Sequence, residues 1–198
     1  MQRRFAIIGH IAPNSGKLNL NDLAGGSGRI DVLVRAVNSA LFVSHGIRND
    51  TEIILHLLGG PGPDRRILFK GETLSGVRPD ERSIAGQIKA ILKLPVPPIG
   101  VFKEITQGIF DTGGGLVETI SDWTKEEVTI NVLDANGGDL LTTTETHSMG
   151  FILSDHMPLN DSEIDLTKDY AKVSLGKDWL QGHACITIIQ HQIDTLFS

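Results

Sequence analysis

Gly150-Phe-Ile-Leu-Ser-Asp-His156 is the stretch that decides the fold, together with Val173-Ser-Leu-Gly176 and Gly182-His-Ala-Cys185 downstream of it. In the first two, a short apolar run breaks into small or polar residues: Phe151-Ile152-Leu153 into Ser154-Asp155-His156, and Val173 into Ser174-Leu175-Gly176. Strands that end this way at one edge of an α/β sheet leave backbone amides and carbonyls free, the usual place for a small molecule. The third piece opens an apolar run, Ile186 to Ile193, with the spacing of a helix lying back over those loops.

Working outward, Val128 to Leu133 reads as the preceding strand, followed by a turn at Asp134-Ala-Asn-Gly-Gly138. Gly108-Ile-Phe110 is a shorter strand, and Gly113-Gly-Gly115 turns into a helix ending near Trp123. Leu94-Pro-Val-Pro-Pro-Ile-Gly100 is the clearest linker. It joins two halves of one domain, because neither half has enough strands to cover itself.

Upstream of the linker, Arg4 to Ile11 is a nearly continuous apolar strand, as expected in the middle of a parallel sheet. A loop, Ala12 to Gly28, leads to a helix from Arg29 to Val43 with Ile30, Leu33, Val34, Val37 and Leu41 on one face. Glu52 to Leu58 is the next strand, and Arg65 to Leu74 reads as a hairpin turning at Lys70-Gly71. Pro79-Asp80-Glu81 starts a helix running to about Leu92, with Asp80 as its cap and Ile84, Ile88 and Ile91 inward. Strands alternating with helices, and apolar rather than alternating in pattern, predict an α/β domain with a largely parallel sheet flanked by helices.

The 198 residues suit a single domain. No apolar run approaches the roughly 18–20 residues needed to span a bilayer. Phe5 to Ile8 is too short a core for a signal peptide, so a cytoplasmic protein is expected. One cysteine excludes an intrachain disulfide and a cysteine-based zinc cluster, and no H-x-x-x-H pair suggests another metal site. The net charge of −6 argues against a generic nucleic-acid binder, but the charge is unevenly divided. Residues 1–93 carry 13 Lys/Arg against 8 Asp/Glu, a basic half, while residues 94–198 carry 5 against 16. An acidic half joined to a basic one is compatible with a local RNA-facing surface, since phosphate needs a positive patch and not a positive protein.

Several chemistries drop out. There is no G-x-S-x-G elbow, and Ser44-His45 are neighbours in sequence rather than an arranged nucleophile and base. No G-x-G-x-x-G follows a strand, which disfavours a dinucleotide-dependent oxidoreductase. Cys185 opens an apolar helix and fits a packed small residue better than a nucleophile. Gly25-Gly-Ser-Gly28 before the first helix leaves two readings: backbone amides and Arg29 aimed together at an anion, or a flexible connection that starts a helix.

The ordered blocks F-I-L-S-D-H, K-V-S-L-G and H-A-C-I, with Arg4–His10, Gly28–Asp31, Val37–Phe42, Ser44–Arg48 and Pro79–Ile84, resemble the archaeal tRNA pseudouridine-54 N1-methyltransferase family and its bacterial relatives. The resemblance runs nearly end to end. It implies a SPOUT-type fold with a C-terminal trefoil knot, S-adenosylmethionine as cofactor, tRNA as substrate and a homodimer paired through the last helix. It places Leu133, Ser154, Ser174, Leu175, Gly176 and Cys185 around the cofactor, with Ser154 standing where the family leads one to expect Gly. The acceptor nitrogen must lose a proton and its ring must be held. Asp31 is the candidate base or ring-orienting acceptor, and Arg29, Asn38, His45, Arg48 and Arg82 are the candidate RNA contacts. The alternative is a non-catalytic SPOUT-like protein that binds RNA or a nucleotide without turnover.

Overall fold

In the computed structural model, which describes residues 1–140 and 148–196, the apolar run Arg4–Ile11 lies in strand β1 (Gln2–Pro13) inside an eight-stranded sheet. Alternate side chains point to opposite faces, so Phe5 and Ile7 enter one buried cluster while Ala6 and Ile8 enter the other. A strand covered on both faces must be apolar throughout, which is why the run is unbroken.

After β1 come helix α1 (Ile30–Leu41), a small hairpin of β2 (Phe42–Val43) and β3 (Gly46–Ile47), strands β4 (Thr51–Gly59) and β5 (Arg65–Lys70), and helix α2 (Glu81–Ile91). The rest of the chain supplies β6 (Lys103–Thr106), β7 (Ile109–Gly113), α3 (Leu116–Lys125), β8 (Thr129–Asp139), β9 (Ser148–Ser154), α4 (Asp161–Thr167), β10 (Ala171–Ser174) and α5 (Gly182–Leu196). The strand order is β10-β8-β9-β1-β4-β5-β7-β6. The first five in that order run parallel, and the pairs from β4 through β5 and β7 to β6 are antiparallel. The sheet is therefore mixed and mostly parallel.

Helices α1, α2 and α5 cover one face through Leu33, Val37, Ile84, Ile88, Ile186, Ile189 and Ile193. Burial of an isoleucine side chain contributes about 1.5–3 kcal/mol, so the three isoleucines alone commit α5 to this face. On the opposite face α3 packs through Leu116 and Trp123. Gly150 makes room for that indole: a Cβ there would come within 2.6 Å of the Trp123 ring. Asp80 caps α2 as expected, accepting from Ser83 N at 2.8 Å.

The structure departs from the sequence pattern in four places. Arg65–Leu74 is not a hairpin of its own. Strand β5 pairs with β4 on one side and β7 on the other, because Gly59–Pro63 already makes the reversal and Gly71 closes onto Thr51. The expected turn at 134–138 is a bulge inside β8: Val132 pairs with Lys172 and Gly138 with Val173, so the residues between are looped out of register. Strand β6, helix α4 and the β2–β3 hairpin are short elements that the periodicity did not show. Lastly, the basic and acidic halves of the chain are not halves of the molecule. The basic half supplies β1, β4 and β5 in the centre, and the acidic half flanks them on both edges. The proline-rich stretch is packed between them, with Pro97 O accepting from Gly113 N and Leu94 O from Arg65.

From β10 at the sheet's edge the chain returns to set α5 against α1, with Gly182 beside Ile7 and the Ser154 carbonyl. The connection between β8 and β9, part of any knot formed there, runs through residues 141–147, outside the described residues.

Candidate cofactor and substrate site

The parallel strands β8, β9 and β10 end together, and their loops enclose a pocket of about 360 Å³. The bulge in β8 carries Leu133 to Asn136 into it, and β9 delivers Ser154 to Pro158. The segment after β10 adds Leu175, Gly176 and Trp179, and α5 closes the floor with Gly182 and Cys185. Of the six residues expected around a cofactor, Leu133, Ser154, Leu175, Gly176 and Cys185 line this pocket. Ser174 sits just behind it, its hydroxyl donating to Ala135 O at 3.1 Å and accepting from Gly176 N at 3.1 Å, which fixes two of the lining segments to each other.

The pocket is apolar on its walls (Leu133, Leu153, Val173, Leu175) and polar at its rim, the character of a nucleotide-sized ligand site. Ser154 turns its hydroxyl onto Met157 O within its own loop, so the side chain is engaged there. Burial pushes the Cys185 thiol up, and its Sγ lies 3.8 Å from Leu180 O, as suits a packed residue and not a thiolate nucleophile.

Helix α1 begins beside this edge. Gly28 and Arg29 both adopt the left-handed conformation, with φ of 59° and 58°. At Gly28 a side chain would strike the Ile11 carbonyl, so only glycine fits. Of the two readings of Gly25–Gly28, this tight start favours the connection that begins a helix over free amides aimed at an anion. Arg29 N, Ile30 N and Val32 N donate to Ala24 O, Ser27 O and Arg29 O. Asp31 is 2 % exposed and accepts from Arg29 Nε at 3.0 Å and Arg35 Nη2 at 2.6 Å. Burial alone would raise its pKa, but the Arg29 hydrogen bonds and the Arg29 and Arg35 charges outweigh burial and hold the carboxyl below its ordinary value. A carboxylate so held has little affinity for a proton, which fits an orienting role better than proton abstraction.

Neither Arg29 nor Asp31 lines the pocket; both stand at the start of α1, where Arg29 feels the charge of Asp155. The other expected RNA contacts do not gather there. Asn38 donates to Pro79 O at 2.7 Å and anchors the approach to α2. Arg82 is exposed on the first turn of α2. His45 lies in the β2–β3 turn and Arg48 follows it, both beyond the carboxyl end of α1. The helix separates them from the pocket by about 18 Å, at 1.5 Å per residue. Arg48 is held there by two bonds to Asp194, at 2.6 and 3.1 Å, an ion pair that locks α5.

The residues missed by sequence reasoning are His10, Asp155 and Glu163. At the end of β1, His10 Nδ1 lies 3.0 Å from Asp155 Oδ1 and Nε2 lies 3.0 Å from Glu163 Oε2. Burial lowers the imidazole pKa, but the hydrogen bonds to Asp155 and Glu163 and their charges raise it by more, so the net shift is upward. This clamp joins β1, β9 and α4 directly behind the pocket wall. The available signal was a lone polar residue ending an apolar strand at the sheet's carboxyl edge. Among the described residues no group of three His, Cys, Asp or Glu is placed to hold a metal ion, and no helix is long and apolar enough to cross a membrane.

The sheet order and the pocket at the strand ends define an α/β protein of the SPOUT class. Its fold matches the crystal structure of Archaeoglobus fulgidus Nep1 bound to S-adenosylhomocysteine, with a TM-score of 0.69, 12% identity and 99% of both chains covered. Residues 2–197 match the family described as "Putative SAM-dependent RNA methyltransferase". The chain is 40% identical to the tRNA (pseudouridine(54)-N(1))-methyltransferase of Methanospirillum hungatei over 96% of this chain and 95% of that one. It is 39% identical to the enzyme of the same name from Methanocorpusculum labreanum, over 96% of each. The chain belongs to this tRNA pseudouridine(54)-N1-methyltransferase family.

Proposed function

We propose that this protein is an S-adenosylmethionine-dependent methyltransferase acting on N1 of pseudouridine 54 in tRNA, working as one domain. The observation that carries this reading is the pocket at the ends of β8, β9 and β10, in a chain about 40% identical to enzymes of that name. Bound S-adenosylmethionine would supply an electrophilic methyl group. The chain's own part is placement, which is where most of the rate comes from in such transfers. Leu133 and Leu175 wall the adenine side, Gly176 and Ser154 offer backbone at close range, and Gly182 and Cys185 close the floor. Asp31, neutralised by two guanidinium groups, positions Arg29 to hold a uracil-like carbonyl or a flanking phosphate.

Incubation with pseudouridine-containing tRNA and S-adenosylmethionine, followed by nucleoside mass spectrometry, tests the reading. One added methyl on pseudouridine 54 is expected. Binding of S-adenosylhomocysteine without any methyl transfer would instead identify a non-catalytic binding protein. Arg29→Ala should weaken tRNA binding and flatten its salt dependence while leaving S-adenosylhomocysteine affinity intact. A folded Arg29→Ala protein that loses cofactor affinity as well would place Arg29 in the donor site.

A homodimer completes the reading, supported by apolar surface just ahead of α5, where Trp179 is 81% exposed and Leu180 41% at the rim of the same pocket. Sedimentation equilibrium at micromolar concentration should give twice the chain mass. A cytoplasmic location follows from a tRNA substrate.

A further inference from the structure

On the α2 side of the sheet's carboxyl edge lies a second, open cavity of about 760 Å³, between the loop after β1 and the end of α2. Three ammonium groups, those of Lys17, Lys89 and Lys93, line it together with Asn19 and Gly26. Among the described residues no acidic side chain lines it, and none of these lysines takes part in an ion pair. Lys89 and Lys93 sit one turn apart at a helix carboxyl terminus, where the dipole favours cations. That does not account for Lys17, which comes from a separate loop.

The loop is fixed where it stands. Gly16 N donates to Leu92 O at 3.2 Å, stapling it to the end of α2. Beneath both walls lies the fully buried guanidinium of Arg65, held bidentately by Asp111 at 2.8 and 2.6 Å. Two further donors reach Asn14 O at 3.2 Å, just ahead of the Gly16–Asn19 loop, and Leu94 O at 3.1 Å, just past Lys93. One buried cation therefore ties together the two chain segments that carry the three lysines. The cavity contains no aromatic platform for a base. Its chemistry is that of a phosphate cradle, which positions a nucleic acid without reading sequence.

We propose that this cavity binds successive backbone phosphates of the tRNA substrate, one at each lysine, while the target ring enters the cofactor pocket. The inference rests on the RNA-methyltransferase reading above. The two sites share one segment: Gly26 lines the cavity, and Arg29, three residues on, feels Asp155 at the pocket edge. Three residues span at most about 11 Å, so the segment that lines the cavity runs directly into the start of α1.

The test uses the full chain with Lys17→Glu, Lys89→Glu and Lys93→Glu combined, and tRNA affinity measured between 50 and 200 mM salt. Three lost single-strand phosphate contacts should reduce the slope of log affinity against log salt by about 2. At the upper salt concentration tRNA should bind at least ~10-fold more weakly, with a raised KM for tRNA and unchanged kcat and S-adenosylhomocysteine affinity. The triple Lys→Arg variant should restore binding. If the triple Glu variant melts early, Lys17→Glu alone, on the exposed loop, should still cost about 0.7 in slope. Unchanged affinity and slope in a protein that methylates tRNA would overturn this cavity's role and leave the proposed function standing. A wild-type protein that binds S-adenosylhomocysteine but no tRNA would overturn both.

Discussion

The two ends of the sheet treat buried charge in opposite ways. At the parallel end, around β8, β9 and β1, the carboxylates of Asp31, Asp155 and Glu163 are held by Arg29, Arg35 and His10 at the edge of a pocket. At the antiparallel end, Arg65 and Asp111 are fully buried against each other. Arg66, also fully buried, spans Asp122, Thr119 and Gly113 O under the ring of Phe102. Its neighbour His56 lies entirely inside, where burial and then the Arg66 charge push its pKa down to about 3. Charge at the far end is buried scaffolding. At the pocket end the carboxylates are equally buried, but Arg29 and Arg35, which hold Asp31, are about a third exposed, so this end can respond to a ligand or to pH.

The strongest break in this comparison is Asp111→Ala. It would leave the Arg65 guanidinium buried without its partner, and removing one member of such a pair costs about 3–5 kcal/mol. Urea or thermal unfolding should register that loss. A loss under 1 kcal/mol would mean that water reaches Arg65 and that the far end is not sealed.

At the pocket end the sharper substitution is Leu175→Asp. Placing a charge against the apolar wall costs of order 2 kcal/mol, a drop of about 30-fold in S-adenosylhomocysteine affinity. Isothermal titration on a protein with unchanged melting is the check, and undiminished affinity would move the donor site elsewhere.

The two histidines separate the ends by pH, with opposite signs. His56 titrates at about 3 in the fold against 6.5 unfolded, so its contribution is whole above pH 6.5. Below that it declines by about 1.4 kcal/mol per pH unit as the unfolded chain takes up the proton. His10 has a raised pKa, so its clamp is whole below pH 6.5 and is lost as pH rises through the raised value. The groups facing it are Asp155 and Glu163, with His156 3.4 Å and the Arg29 charge further out on the Asp155 side. Protection factors across 155–164, with the intrinsic base-catalysed exchange rate divided out, should therefore fall on going alkaline while those of the β5–β7 amides hold. His10→Gln should remove that fall, and protection factors that ignore pH in the wild type would refute the clamp.

Leu133, Ser154, Leu175, Gly176 and Cys185 were singled out through the family resemblance, and the structure gathers them at one pocket because they sit where apolar strands end or a helix begins. Strands β1, β4, β7, β8, β9 and β10, helices α1, α2, α3 and α5 and the cap at Asp80 were legible because periodicity and capping act over a few residues. Helix α4, at seven residues, is too short to show a period. The bulge in β8 looked like a turn because its composition is that of one, and only pairing with β10 keeps it inside a strand.

What the sequence determined by itself was the longer elements and the sheet edge at which the pocket opens. Tertiary structure decided which charges meet: His10 with Asp155 and Glu163, 145 and 153 residues apart, Arg48 with Asp194 at the opposite edge, and Lys17 with Lys89 and Lys93 across one cavity. It also dissolved the basic and acidic halves, since β5 pairs with both β4 and β7. The reason is physical. Backbone preference is set by neighbours along the chain, whereas the state of a charge is set by neighbours in space, and those exist only once the sheet order is fixed.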